Sequence, residues 1–290
     1  MGVSLSGYYA WRHRLNKPPC LKRKRLENLI ANCYWENRRR YGTRRIRAAL
    51  AKSGIKVGRF VIRRVMDEQN LKAIAPKSFV PRTTDSKGTK ASPNLLAAIN
   101  PEECAAAKLI VGDITYLPLL GGRWCYLAVW QDKVTRRIIG WSLAETMTAE
   151  IVVSALKKAR LKGLVKAGAI IHSDRGSQYA SKEFRAVLQI NGFRQSMSGK
   201  GNCYDNAQAE SFFSRFKAEL IEGGVFENIE QAKSEVFSYI EGYYNRVRLH
   251  SGLGYKSPLE YELELKTKNG GNKDSFLSTF IEPSHARLAH

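Results

Sequence analysis

The stretch Leu109-Ile110-Val111-Gly112-Asp113-Ile114-Thr115-Tyr116-Leu117 decides the fold. It is apolar on both faces of a two-residue repeat, the pattern of a strand buried in the middle of a sheet. Asp113 is its one charged residue. An isolated carboxylate in such a strand is too costly to bury bare, so it must be paired, protonated or bound to a metal ion. Working downstream, Gly121-Gly122 predicts a turn, Trp124 to Trp130 a second strand, and Arg137 to Leu143 a third. Connections this short predict an antiparallel meander.

Thr148 to Leu161 carries the apolar spacing of an amphipathic helix. Ala169 to Ser173 is a fourth strand ending at Asp174, where Arg175-Gly176 turns the chain. Ser181 is placed to cap a helix to about Ile190, and a short strand is expected over Arg194 to Met197. The Gly-rich loop Ser198 to Asn202 leads to a helix from about Asp205 to Ile221, followed by a long helix from Ile229 to Asn245. A meander followed by alternating helices and strands is a mixed α/β layout.

Asp113 and Asp174, on strands able to lie side by side, make a hard-oxygen site suited to Mg²⁺ or Mn²⁺. Glu210 supplies a third carboxylate. On its helix Ala209, Phe212, Phe213, Phe216 and Leu220 form the apolar stripe, while Asn206, Glu210, Ser214 and Lys217 share a polar face. Three carboxylates offset the charge of two cations about 3.5–4 Å apart, an arrangement suited to phosphodiester transfer. Without metal they repel one another, so at least one should hold its proton more tightly. Lys217 is expected to meet DNA from the Glu210 face. His172 shares the strand face of Asp174 and is either a substrate contact or a hydrogen-bonded core histidine. Asp132 is expected to be structural, Asp205 to be a helix cap, and Glu219 lies too far along its helix to join the site.

The charge is uneven. The chain of 290 residues has a formal charge of +22, and residues 1–100 hold 23 Lys/Arg against 5 Asp/Glu, +18 of that total. Such a field attracts a polyanion. In this third, helices are expected at 23–35, from Thr43 as a cap, and at about 59–69, where Val61, Ile62, Val65 and Met66 face inward. Short helices with Gly54 and Gly58 between them, the last one Arg-rich, suggest a helix-turn-helix. Residues 76–106 contain Pro76, Pro81, Pro93 and Pro101 and predict a linker. The segments expected are therefore a basic helical module (1–75), the linker (76–106), a catalytic core (107–225), a helical extension (226–265) and a loose tail (266–290).

Five scattered cysteines without a CxxC pair exclude a disulfide framework or zinc ribbon. His13, Cys20 and Cys33 lack the second histidine of an HHCC zinc site, and idle or buried thiols are expected. No apolar run is long enough to span a membrane, and the opening residues lack a secretion signal, so a soluble cytoplasmic protein is expected.

Asp174 and Glu210 are separated by 35 residues. With Asp113 upstream, this resembles the D,D-35-E pattern of retroviral integrases and insertion-sequence transposases. The surrounding residues are specific: Asp113-Ile114-Thr115-Tyr116, His172-Ser173-Asp174-Arg175-Gly176-Ser177-Gln178-Tyr179, Gly201-Asn202-Cys203-Tyr204-Asp205-Asn206-Ala207-Gln208-Ala209-Glu210-Ser211-Phe212-Phe213, and Tyr243-Tyr244-Asn245-Arg246-Val247-Arg248-Leu249-His250 followed by Leu253-Gly254-Tyr255-Lys256-Ser257-Pro258. Together they resemble the orfB-type transposases of the IS3 family over about residues 4–262. The resemblance implies an RNase H-like core, a five-stranded mixed sheet flanked by helices. It implies that Asp113, Asp174 and Glu210 bind two Mg²⁺ (or Mn²⁺) ions, that a donor end is cut to free a 3′-hydroxyl, and that this hydroxyl attacks a second phosphodiester.

The partners then expected are terminal inverted repeats, target DNA, a second copy of the chain or a higher oligomer, and an upstream-frame protein carrying a helix-turn-helix and zipper. The location expected is the bacterial cytoplasm, at the nucleoid. Residues expected to touch DNA are Arg39, Arg40, Arg44, Arg45, Arg59, Arg63 and Arg64 in the basic module, and Gln178, Lys200, Lys217, Arg246, Arg248 and His250 beyond it. Two other functions compete: a DNA-binding regulator without catalysis, and a plain RNase H-like nuclease or junction resolvase.

Overall fold

The computed structural model describes residues 4–15, 21–76, 92–96, 99, 105–199 and 207–268. The chain divides into two compact units, Met1–Ala75 and Pro76–His290.

The first unit holds helices α1 (Leu5–Leu15), α2 (Leu21–Glu36), α3 (Thr43–Lys52) and α4 (Arg59–Glu68). Helices α2 to α4 close on Ile30, Cys33, Tyr34, Tyr41, Ile46, Leu50, Ile62, Val65 and Met66, all buried. Of the inward face expected on α4, Ile62, Val65 and Met66 are buried and Val61 is half-buried. Thr43 is the first residue of α3; the cap is Gly42, which offers no side chain to the helix. Arg23 bonds Glu68 at 3.0 Å and so ties α2 to α4. Helix α1 was not expected from the sequence.

The second unit is built on one sheet: β1 (Leu109–Pro118), β2 (Trp124–Asp132), β3 (Ile138–Ala144), β4 (Ile170–Ser173) and β5 (Arg194–Met197). Their order is β3-β2-β1-β4-β5. Strands β1, β2 and β3 form the antiparallel meander, and β4 and β5 continue parallel to β1. The doubly apolar strand is thus central, as its pattern requires.

Odd-numbered positions of β1 face one side and even-numbered positions the other. On the even side Ile110, Trp130 and Ile171 pack against α5 (Ala149–Leu161), α6 (Ser177–Ala180) and α7 (Lys182–Ile190). On the odd side Leu117, Leu127, Val129 and Ile138 pack against α8 (Ala207–Phe216) and α9 (Ile229–Phe237). The flanked, mixed five-stranded sheet is the RNase H-like layout.

Gly112 keeps the sheet closed. A Cβ there would lie 2.2 Å from the Trp130 ring, which stacks on Phe184 with ring centroids 5.7 Å apart. Gly112→Ala is expected to destabilise the unit by about 1–3 kcal/mol through overpacking, read as a lowered denaturant midpoint.

Several elements differ from expectation. Helix α8 continues as a wide π turn over Lys217–Ile221, and α9 as another over Ser238–Tyr244. Helix α10 (Pro258–Lys268) occupies the start of the expected tail and is anchored by Arg137 to Glu262 at 2.7 Å. Part of the expected linker is fixed to the sheet: Ser92 Oγ donates to Gln195 Oε1 at 2.8 Å, and Leu96 packs on Leu109, Val111 and Ile170. The expected extension beyond residue 225 completes the second core layer. Its Asn245 side chain donates to Ile138 O at 2.9 Å and accepts from Ile138 N–H at 3.0 Å, as a neighbouring strand would.

Candidate active site

Asp113 sits on the odd side of β1, facing α8. Strand β1 pairs with β4 so that Val111 is opposite His172. Two residues further along each chain are Asp113 and Asp174. The paired register ends before them: Asp113 continues β1, and Asp174 lies one residue past the end of β4, close enough for its charge to act on Asp113. Ile114 N–H donates to Asp113 Oδ1 at 2.8 Å, and Gly176 N–H donates to Asp174 Oδ1 at 3.0 Å. A Cβ at Gly176 would crowd that turn, lying 3.1 Å from the same Asp174 oxygen and 3.0 Å from Gln178 Oε1. Arg175 Nε donates to Ser198 O at 2.8 Å and holds the turn to the chain beyond β5.

Glu210 lies in the first turn of α8, on the face opposite the buried Ala209, Phe212, Phe213 and Phe216. Lys217 follows on the same face, with its ammonium 4.0 Å over the Tyr116 ring. Among the described residues no three Asp, Glu, His or Cys side chains are gathered closely enough to hold a metal ion. Glu210 remains exposed, although its charge acts on Asp113.

The electrostatics are dominated by burial, with repulsion between carboxylates added at Asp113. Burial first, then the charge of Asp174 and more weakly that of Glu210, push the Asp113 carboxyl from 3.8 to about 8. Burial also raises Asp174 and Glu210. Lys217 is lowered by burial, partly offset by attraction to Asp113. Hard oxygen donors that resist ionisation alone are the donor set a divalent cation satisfies.

The raised Asp113 carboxyl has a measurable consequence. Between pH about 4 and about 8 the folded state holds a proton that the unfolded state has released, so stability falls as pH rises through that window. Without divalent ions, Asp113→Asn is expected to be more stable than wild type at pH 8, by about 1 kcal/mol or more (roughly 2–4 °C). The gap should close towards pH 4. Mg²⁺ should raise the melting temperature of wild type at pH 8 and not that of the variant.

His172 is a core histidine: it is buried and bonded to Ser196 Oγ at 2.8 Å and Ser198 Oγ at 3.1 Å. Asp132 is structural, accepting backbone N–H groups of Ala107, Val134 and Thr135. Three expected DNA contacts are corrected. Arg248 is 2 % exposed and pairs with Glu219 at 2.7 Å; His250 and Arg40 are also buried. Their side chains face protein, so none is free to reach a phosphate.

Arg39, Arg44, Arg59, Arg63, Arg64 and Arg246 are exposed, and Arg45 is half-buried with its guanidinium 5.7 Å from the Tyr41 ring. Gln178 Nε2 donates to Met147 O at 3.2 Å. Lys200 and Asp205 lie outside the described residues, as do Cys20, Cys104 and Cys203; Cys33 and Cys125 are buried free thiols. Tyr179 was missed as a neighbour of the aspartates. Its ring lies edge-on to Trp130 and its buried hydroxyl has no hydrogen-bond partner among the described residues.

No described helix is long and apolar enough to cross a membrane. Residues 105–203 match the integrase core domain family, residues 191–258 a second integrase core domain family, and residues 22–79 an HTH-like domain family. The chain is 38% identical over 260 residues to the uncharacterized 31 kDa protein of insertion element IS600 from Shigella sonnei, covering 90% of this chain and 95% of that protein. It is 38% identical over 251 residues to the transposase for insertion sequence element IS904 of Lactococcus lactis (86% and 98% covered). It is 36% identical over 266 residues to the transposase InsF for insertion sequence IS3A of Escherichia coli (90% of each).

Among solved structures it is similar to a simian T-cell lymphotropic virus intasome in complex with a PP2A regulatory subunit, at TM-score 0.44 and 14% identity, covering 84% of this chain and 76% of that one. It is also similar to the HTLV-2 integrase catalytic core domain in complex with magnesium, at TM-score 0.41 and 16% identity, covering 54% and 97%. With identity above one third across nearly the whole length of named relatives, the chain belongs to the IS3 family of insertion-sequence transposases.

Proposed function

We propose that this chain cuts and joins DNA ends by metal-dependent phosphoryl transfer, with Asp113, Asp174 and Glu210 as the D,D-35-E triad. The observation that supports this is the position of Asp113 in β1 and of Asp174 one residue past the end of the adjacent parallel β4, with the charges of Asp174 and Glu210 both acting on Asp113. Two divalent ions, Mg²⁺ or Mn²⁺, held by these carboxylates would supply Lewis acidity and lower the pKa of the attacking water or 3′-hydroxyl. The protein's own part is positional. Ile114 and Gly176 N–H groups fix one oxygen of each aspartate, and the other would ligate the metal. Glu210 completes the set when α8 is seated on DNA. Lys217, across from Asp113, offers a positive charge to a phosphate oxygen.

The exposed arginines of α3 and α4 would bind the DNA backbone, and their partners would be the terminal repeats and a target duplex. Joining two ends calls for at least two copies of the chain, together with an upstream-frame partner that reads the repeats; the setting would be the nucleoid. The test is incubation of the full chain, with and without that partner, with terminal-repeat DNA and Mg²⁺, and resolution of products at single nucleotides. Nicks ending in 3′-hydroxyls and joined strands are expected. Tight binding without product would favour a regulator, and hydrolysis without joining a nuclease.

A further inference from the structure

We propose that Tyr116 and Trp124, with Lys217, form a stacking platform for an unpaired base of the strand entering the carboxylate site. The proposal rests on the DNA strand-transfer reading above. Strands β1 and β2 bury nearly all their large apolar side chains, yet at the end of their hairpin two aromatic rings stand in solvent, Tyr116 at 56% and Trp124 at 47% exposure. Trp124 is in register with Pro118, so it is the diagonal neighbour of Tyr116 on the same sheet face. The rings meet edge to face, with centroids 5.0 Å apart and planes at 88°. A perpendicular pair leaves a ring face open. Cross-strand packing accounts for the contact but not for the exposure.

The surroundings choose the occupant. The Lys217 ammonium lies 4.0 Å over the Tyr116 ring, and the exposed Arg123 adjoins Trp124. Lys217 covers one face of Tyr116, so a base would stack on a remaining exposed face of the pair; cations beside such rings suit a nucleic acid strand, whose phosphates meet the charges and whose bases meet the rings. A base inside a duplex already has both faces stacked, so the ligand is a base freed by fraying or a strand end. Tyr116 is three residues beyond Asp113 on β1, about 10 Å, with its side chain on the other sheet face near the hairpin end; Lys217, which lies over its ring and interacts with the charge of Asp113, links the platform to the carboxylates. Stacking of this kind is tolerant of sequence, so the platform would read strand separation and not base identity.

The test uses the full chain without divalent metal, so that binding is separated from chemistry. The probes are a blunt duplex and the same duplex with a short single-stranded extension containing 2-aminopurine. Wild type is expected to quench the 2-aminopurine and to bind the extended duplex about tenfold more tightly than the blunt one. Trp124→Leu and Tyr116→Leu should lose the quenching and the preference while keeping blunt-duplex affinity; Trp124→Phe and Tyr116→Phe should keep all three. A second measurement needs no variant: 5-iododeoxyuridine in the extension should photo-crosslink to Tyr116 or Trp124 in wild type. Retained preference in folded Leu variants, or crosslinks that avoid both rings, would overturn the platform. A chain that stacks the extension yet yields no product with Mg²⁺ would sink strand transfer alone, and one that cuts and joins without stacking would sink the platform alone.

Discussion

Glu210→Gln is expected to slow both strand cleavage and strand joining by about 10³-fold or more, because several kcal/mol of transition-state stabilisation depend on a full set of anionic ligands. DNA affinity should stay within about twofold of wild type, since phosphate contacts elsewhere dominate binding. The substitution preserves shape and removes one charge. It touches no packing: Glu210 is exposed, and α8 is held by Phe212, Phe213 and Phe216 on its other face. Single-turnover assays with Mg²⁺ on DNA ends give the comparison. Cleavage near the wild-type rate would remove Glu210 from the ligand set.

Arg248→Ala should cost about 3–5 kcal/mol of stability, the largest loss expected from a single side chain here. Arg248 and Glu219 are 2% and 3% exposed and pair at 2.7 Å, and Tyr239 Oη donates to the other Glu219 oxygen at 2.8 Å. Removing the guanidinium leaves Glu219 buried without its counter-charge. The double variant Glu219→Gln with Arg248→Met should recover most of the loss, as buried pairs replaced together often do. Denaturant melts of the full chain measure both, and a single-variant loss below about 1 kcal/mol would contradict it. The pair ties the π turn that follows α8 to the chain just beyond the second π turn, and the Tyr239 bond to Glu219 joins the two turns themselves. It therefore also fixes the helix end that carries Lys217.

The sequence made the sheet and the three candidate carboxylates legible for physical reasons. Asp113 stands out because a charge in a doubly apolar strand needs an explanation, and Asp174 because a strand ends on it before a Gly-containing turn. Glu210 stands out because it lies on the polar side of a clear apolar stripe. Arg248 and His250 were misread because nothing local marks a buried arginine: its partner Glu219 is 29 residues away and was itself dismissed as too far along its helix. The π turns were invisible, since widening one helical turn changes no residue type and follows from tertiary packing. Residues 92–96 look like linker by composition, yet their backbone and small side chains bond to β5, which a hydropathy pattern does not record. Tyr116 and Trp124 were read as ordinary strand residues because periodicity gives a face and not an exposure.

Anomalous scattering from Mn²⁺ in crystals of the chain assembled on DNA ends would test the carboxylate triad most directly. Two manganese peaks about 3.5–4 Å apart are expected, with oxygen ligands from Asp113, Asp174 and Glu210. Ions bound by the aspartates alone, with the Glu210 carboxylate remaining in solvent beside bound DNA, would contradict it.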